Sequence, residues 1–387
     1  MSTASEHAIT SINQNVFYKE FTFDKNEFYP TPGEQKELAD NIILLDDLLF
    51  IIQIKERNKD EIKTAIDENK WFNNVVLKKA KKQIKDSIDF FNSHPHILIT
   101  NRREHTIDVS KATLANVNKI IIYAPNSDLL TETNHFLKFY ESSEVGNIHL
   151  FHIEDYHWVC RYLITPAELN EYLKFRERIY IKHKTIINNF PEQYVLAHFL
   201  NTDDETTIDE KYIETLKNLN ADADDYDIAF LINSFYDKIR VDEQKNTLMY
   251  YPIIREIAKL KRYELAEFKQ RYLKTIEDVK ANSFSLPYRI NISRTGCGFV
   301  FIPLMHDKIE YWENALINFT EMYKYKRQLK KCLGVILFKA QDYYDQNWAY
   351  IESEWEYNEE LEKAIAGEEN LYGDGQFKPL ERYRFND

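Results

Sequence analysis

Asp40, Gln53 and Lys55 are the residues of this 387-residue chain whose types and spacing point to chemistry. They flank two apolar runs, 42–45 and 48–52, on either side of the turn-prone pair Asp46-Asp47, the pattern of a β-hairpin. With a two-residue loop Leu45 faces Leu48, and counting outward sets Asp40 opposite Gln53; a symmetric four-residue loop gives the same partner. Directly opposed residues share a face with Cβ atoms roughly 4.5–5.5 Å apart. Lys55, two positions on, points the same way about 6.5–7 Å further along the strand. An acid, an amide oxygen and an amine are thus expected to converge.

Both faces of the hairpin are otherwise apolar: Ile42, Leu44, Leu49 and Ile51 on one, Ile43, Leu45, Phe50 and Ile52 on the other. Such a pair belongs at the centre of a sheet covered on both sides. Polar groups at its end lose hydration and need partners, and a divalent cation held by Asp40 and Gln53 would satisfy them. Asp46 and Asp47 read as turn residues, because aspartate bonds nearby backbone.

Asp40, twelve intervening residues and then Gln53-Ile54-Lys55 resemble the D…(D/E/Q)xK signature of the PD-(D/E)XK nuclease superfamily, in the branch where QxK replaces ExK. Glu37 before Asp40 and a lysine-rich helix after the strand extend the likeness over residues 34–100. The resemblance implies an α/β restriction-endonuclease-like core, a mixed sheet flanked by helices. It also implies that Asp40 and Gln53 bind Mg²⁺ (or Mn²⁺), that the Ile54 carbonyl is a third ligand, and that Lys55 orients or activates the attacking water. Glutamine keeps an oxygen donor but removes one negative charge, so metal affinity should fall unless Glu37 or another acid compensates. The family also implies a glutamate from the first helix, for which Glu6, in the stretch 2–16, is available. DNA more than RNA is the implied substrate, and restriction or antiphage defence the implied role, with a homo-oligomer or a defence-system protein as partner.

After Lys55 a helical stretch is expected over 59–91. Phe72, Val76, Ala80, Ile84, Ile88 and Phe91 form an apolar stripe. Lys78, Lys82 and Lys85 lie opposite it, with Lys79 and Lys81 on the flanks: five lysines and no acid within 78–85. In a chain of net charge −13, which would ordinarily argue against nucleic acid, Lys78, Lys79, Lys82 and Lys85 are the best footprint for a phosphate backbone. A solvated helix face is the plainer alternative.

Short strands are expected at 97–99, 106–109 and 119–123, closing a nuclease-like domain over 1–125. The region 126–245 reads as mostly helical, with a strand at 149–152 and a helix over 167–178 capped by Thr165-Pro166. The acid-rich 222–227 lacks the glycine and closing glutamate of a calcium loop and reads as solvated. A C-terminal α+β domain spans 246–387. Helices are expected around 252–280 and over 308–331, with a hairpin at 288–292/299–304, a strand at 334–338 and a loose tail from 367.

Composition sets the outer limits. A hydrophobic share of 44%, with 24 Phe and 26 Tyr, suits an ordered chain of more than one domain. Cys160, Cys297 and Cys332 are far apart and odd in number, and read as buried small hydrophobes in a reducing compartment. Cys297 has no paired histidine nearby to make it a nucleophile. Neither His149, His152 and His157 nor His94, His96 and His105 has zinc spacing. No GxGxxG or P-loop occurs among the eight glycines. No apolar run of about 18 residues and no secretory leader is present, so the expected location is the cytoplasm, with no membrane partner. The rival to a nuclease is a catalytically inactive nuclease-like scaffold that binds nucleic acid or protein; a hairpin that is merely core is the third alternative.

Overall fold

The fold is that of a computed structural model describing residues 3–31, 33–58, 64–112, 114–126, 128–214, 216, 226–228, 231–232, 235, 248–341, 343–367 and 372. The acid-rich stretch 222–225 and the tail from 368, Tyr372 excepted, lie outside them. The chain divides into two compact units, Met1–Asn220 and Ala221–Arg382. This grouping differs from boundaries at 125 and 245, and strand pairing is the reason.

In the first unit the elements run α1 (Ala4–Val16), β1 (Thr22–Phe23), β2 (Glu27–Thr31), β3 (Glu34–Glu37), β4 (Asn41–Leu45) and β5 (Leu48–Glu56). Next come α2 (Ala65–Trp71), a π-helical stretch Phe72–Lys79 and α3 (Ala80–Ser93). Then follow β6 (Leu98–Thr100), β7 (Thr106–Asp108), β8 (Val117–Ala124), α4 (Glu132–His135), β9 (Phe139–Ser142) and β10 (Gly146–His152). Helices α5 (Ile153–Tyr162), α6 (Pro166–Ile187) and α7 (Glu192–Asn201) complete the unit's main elements. The main sheet has the order β1-β4-β5-β8-β10-β9. β4 and β5 are antiparallel, β5, β8 and β10 are mutually parallel, and β9 is antiparallel to β10. Because β10 lies beside β8, residues beyond 125 complete the sheet. This is an α/β architecture with a mixed sheet between helices.

Alternation along β5 sets the two layers. Phe50, Ile52 and Ile54 pack with Ile9 and Val16 of α1 and with residues of α5, α6 and α7. Leu49 and Ile51 pack with Trp71, Phe72, Val76, Ala80 and Ile84. Each face of the hairpin is therefore covered, as its two-sided apolar pattern requires. The stripe Phe72, Val76, Ala80, Ile84 and Phe91 is buried, although the first of these residues sit in π-helical turns. The widened turns accommodate spacings of four without rotating the stripe away from the sheet.

A buried ionic group ties α6 and α7 to β9 and β10. Arg176, fully buried, donates from Nε to Glu192 Oε1 at 2.7 Å, from Nη2 to Glu192 Oε2 at 3.1 Å, and to the carbonyls of Lys138 and Leu150. Lys138 Nζ adds a contact to Glu192 at 3.4 Å. Thr165 caps α6 by accepting from the Glu168 amide, as its position before Pro166 predicted.

The second unit contains α8 (Tyr251–Ala258), α9 (Arg262–Ala281), β11 (Tyr288–Ile292), β12 (Cys297–Pro303), α10 (Trp312–Lys326), β13 (Lys331–Ala340), β14 (Tyr343–Glu352) and α11 (Glu359–Gly367). Its sheet has the order β11-β12-β13-β14, with only β12 and β13 parallel. The expected hairpin around Gly296 is present, and Gly296 has φ +66°. At Gly334 a Cβ would meet Thr320 Oγ1 at 2.0 Å, so α10 lies on β13 only because that position lacks a side chain. Among the described residues no helix is long and apolar enough to cross a membrane.

Candidate active site

Asn41 pairs with Ile52 and Leu45 with Leu48, closing the hairpin with the two-residue loop Asp46-Asp47. Asp46 takes φ 56°, a left-handed conformation that aspartate tolerates in tight turns. This register sets Asp40 across from Gln53, one step beyond the last ladder pair. Three partners hold the approach to Asp40. The buried Asn26 side chain accepts from the amides of Leu38 and Ala39, both at 3.0 Å, and donates to the Ala39 carbonyl at 2.7 Å. Ser87 of α3 donates to the Leu38 carbonyl. On the far side, Asn13 of α1 donates to Asn41 Oδ1 at 3.0 Å and accepts from Tyr156 at 2.7 Å. Asp40 thus stands between two clamped backbone segments.

Asp40 Oδ2 accepts from the Ile54 amide at 2.5 Å and from Lys55 Nζ at 2.8 Å. The same ammonium donates to Gln53 Oε1 at 3.0 Å and to the Ile54 carbonyl at 3.0 Å. Asp40, Gln53, Lys55 and the Ile54 carbonyl therefore share one point. Gln53 is 1% exposed, and the Lys55 and Asp40 side chains are 10% and 12% exposed, so the charges meet where water screens them little.

An open pocket beside this point is lined by Glu6, His7, Thr10, Asp24, Glu37 and Asp40. Glu37, at the end of β3, keeps an exposed side and lies opposite Glu27 in the β2–β3 ladder. Partial burial, then the nearby charges of Asp40, Glu27 and Glu6, raise its carboxyl above the ordinary value; Lys55 pulls the other way. Glu6 comes to the pocket because the Ser5 amide donates to Glu56 of β5 at 2.9 Å. One of its oxygens is committed to the capping box with Thr3.

Asp24 was not anticipated from sequence. Its Oδ2 accepts from Arg102, while Oδ1 is buried and has no hydrogen-bond partner. Its place in the pocket depends on contact between the end of β1 and the 37–40 segment, which no local pattern signals.

The lysine helix covers the sheet face carrying Ile51, the face to which Gln53 and Lys55 belong by strand alternation. Lys85 is paired with Asp89 and Lys81 with Glu144, and the Asp89 hydrogen bond raises the Lys85 ammonium's pKa. The acid-free run in sequence is therefore not acid-free in space. Lys78, Lys79 and Lys82 make no ion pair among the described residues.

The other candidates have ordinary partners. His152 caps α5, His149 meets Arg176, and His96 pairs with Asp108. All three cysteines are free and buried, and burial raises the Cys297 thiol well above its usual range, which suits packing rather than nucleophilic attack.

Among the described residues no three His, Cys, Asp or Glu side chains are grouped so as to hold a metal ion. The set around Lys55 is of another kind: one carboxylate, one carboxamide and one backbone carbonyl, all hard oxygen donors of the sort that Mg²⁺ and Mn²⁺ accept. These oxygens already converge on a positive charge, so the residues present fit a small divalent cation. No protein-family model matches the chain, and no curated protein and no solved structure matches it either.

Proposed function

We propose that this chain is a metal-dependent phosphodiesterase of PD-(D/E)XK type, an endonuclease acting on DNA in preference to RNA. The observation carrying the reading is the convergence of Asp40 Oδ2, Gln53 Oε1 and the Ile54 carbonyl on one cationic point at the end of a buried hairpin. Asp40, Gln53 and Ile54 would hold Mg²⁺ or Mn²⁺, which supplies Lewis acidity toward a phosphate oxygen and lowers the pKa of water. Lys55 supports negative charge developing on the phosphate. Glu37, its carboxyl raised, stands on the pocket wall where it can take a proton from the attacking water. Lys78, Lys79 and Lys82, which make no ion pair among the described residues, offer their charge to the backbone of the substrate. A mixed sheet with the hairpin inside it and helices on both faces suits a restriction-endonuclease-like core. Restriction or antiphage defence is the biological role we propose with this reading.

A second reading has its own support. Lys55 already donates to all three oxygens, and Gln53 brings no charge, as in an inactive scaffold that binds nucleic acid or protein without cutting. Plasmid and RNA incubated with Mg²⁺ or Mn²⁺ separate the readings. The nuclease reading expects wild type to nick or linearise DNA, EDTA to stop it, and Asp40→Ala and Lys55→Ala to lose about 100-fold or more. Wild type and variants behaving alike would remove it.

A further inference from the structure

The Lys55 ammonium occupies the position that the proposed metal needs. It has three protons, and three acceptors lie at 2.8, 3.0 and 3.0 Å: Asp40 Oδ2, Gln53 Oε1 and the Ile54 carbonyl. These are the three oxygens named above as ligands. Two cations cannot share one triad of oxygens. Mg²⁺ draws its ligands to about 2.1 Å, and a monovalent charge left within roughly 4 Å of it would be strongly repelled where water screens weakly.

We infer, resting on the metal reading, that Lys55 is an intrinsic counter-cation: it holds Asp40, Gln53 and the Ile54 carbonyl together before a divalent ion arrives, and must swing off all three when the ion takes them. Two consequences follow. The preassembled triad resists collapse although Asp40 is nearly buried, because the ammonium satisfies it. Metal affinity is also lowered by competition, so removing the lysine strengthens ion binding. A lysine that met only the phosphate, clear of the metal's oxygens, would leave that affinity nearly unchanged. Displacement further delivers the ammonium to the rim of the pocket only in the metal-loaded protein, tying the charge that meets the phosphate to the presence of the ion.

The test is titration of Mn²⁺ into the full-length wild type, Lys55→Met and Asp40→Asn by calorimetry, without nucleic acid. Reductive methylation of Lys55 in the wild type, with and without saturating Mn²⁺, is followed by mass spectrometry. Lys55→Met should bind Mn²⁺ about tenfold more tightly than wild type or better, Asp40→Asn should lose the site, and Mn²⁺ should raise Lys55 methylation several-fold. A cooperatively melting Lys55→Met protein with equal or weaker affinity overturns the inference and leaves the metal reading standing. So does Lys55 methylation in metal-saturated wild type that stays level or falls, a result that decides the matter if the methionine variant does not fold. Binding by neither wild type nor Lys55→Met would overturn the metal reading itself, and the inference with it.

Discussion

The Asp40 carboxylate accepts the backbone amide of Ile54 at 2.5 Å, so a side chain on one strand of the hairpin makes the bond that the ladder would otherwise continue. Asn41 and Ile52 are the last paired residues, and Asp40 closes the next step with its own oxygen. The same atom then receives Lys55. Strand register, charge pairing and the candidate chemistry thus pass through one carboxylate.

Replacing Asp40 should accordingly be felt in the fold as well as in activity. Asp40→Ala leaves the Ile54 N–H without its acceptor and the nearly buried ammonium with two neutral acceptors but no counter-charge, which costs about 1–3 kcal/mol for a single unsatisfied group and more when charge is involved. Asp40→Asn keeps an acceptor for Ile54 and should lose less. Urea midpoints of the two variants should fall in that order below wild type; an unchanged midpoint for Asp40→Ala would mean that the pairing contributes nothing.

Gln53→Glu puts a second carboxylate among the oxygens that Lys55 holds. It adds negative charge beside Asp40, balanced by Lys55 alone until a cation arrives. The expected outcome is lower stability without metal, together with Mn²⁺ affinity raised by about tenfold. Calorimetry beside thermal melts with and without Mn²⁺ checks both signs.

Lys78, Lys79 and Lys82 differ from Lys81 and Lys85 in making no ion pair among the described residues. Changing the first three to glutamate should weaken DNA binding strongly and reduce its salt dependence, because each phosphate contact adds close to one unit to the slope of log K against log salt. Changing Lys81 and Lys85 should do less. Equal effects from the two sets, measured by fluorescence anisotropy across salt concentrations, would show that the helix acts only through net charge.

Asp155 gives a pH signature unrelated to the candidate site. Burial, and then Glu192, raise its carboxyl to about 6, against the pull of Lys138 and Arg176. A raised carboxyl contributes stability that is fully present below its unfolded pKa and is lost as pH rises through the folded value. Asp155→Asn keeps a neutral side chain at every pH. It should therefore match wild type below about pH 4 and melt higher than wild type at pH 8, with the gap opening between the unfolded carboxyl's pKa near 4 and the folded value of about 6; a constant difference from pH 4 to pH 8 would contradict the assignment.

The hairpin was legible because two apolar runs and a two-residue turn leave one register that buries both faces, and that register alone brings Asp40 to Gln53. The stripe from Phe72 to Phe91 was legible for the same reason, although its π-helical turns were not, since spacings of four suit either helix. What escaped depends on contacts distant in sequence. β10 beside β8 carries the main sheet past residue 125, Asp24 enters the pocket from the end of β1, and Glu144 pairs with Lys81 across 63 positions of chain; Asp89, four residues after Lys85, was within reach of the sequence. β14 was missed because Tyr343-Tyr344-Asp345-Gln346-Asn347 is polar, and only its pairing with β13 identifies it as strand.

The proposed ion would sit on the three oxygens that Lys55 now holds. A crystal soaked in Mn²⁺ and measured at the manganese edge should give an anomalous peak within bonding distance of Asp40 Oδ2, Gln53 Oε1 and the Ile54 carbonyl, with the Lys55 ammonium moved off them. A map with no peak at that point, and Lys55 still bound to all three oxygens at saturating Mn²⁺, would leave the proposed metal without a site.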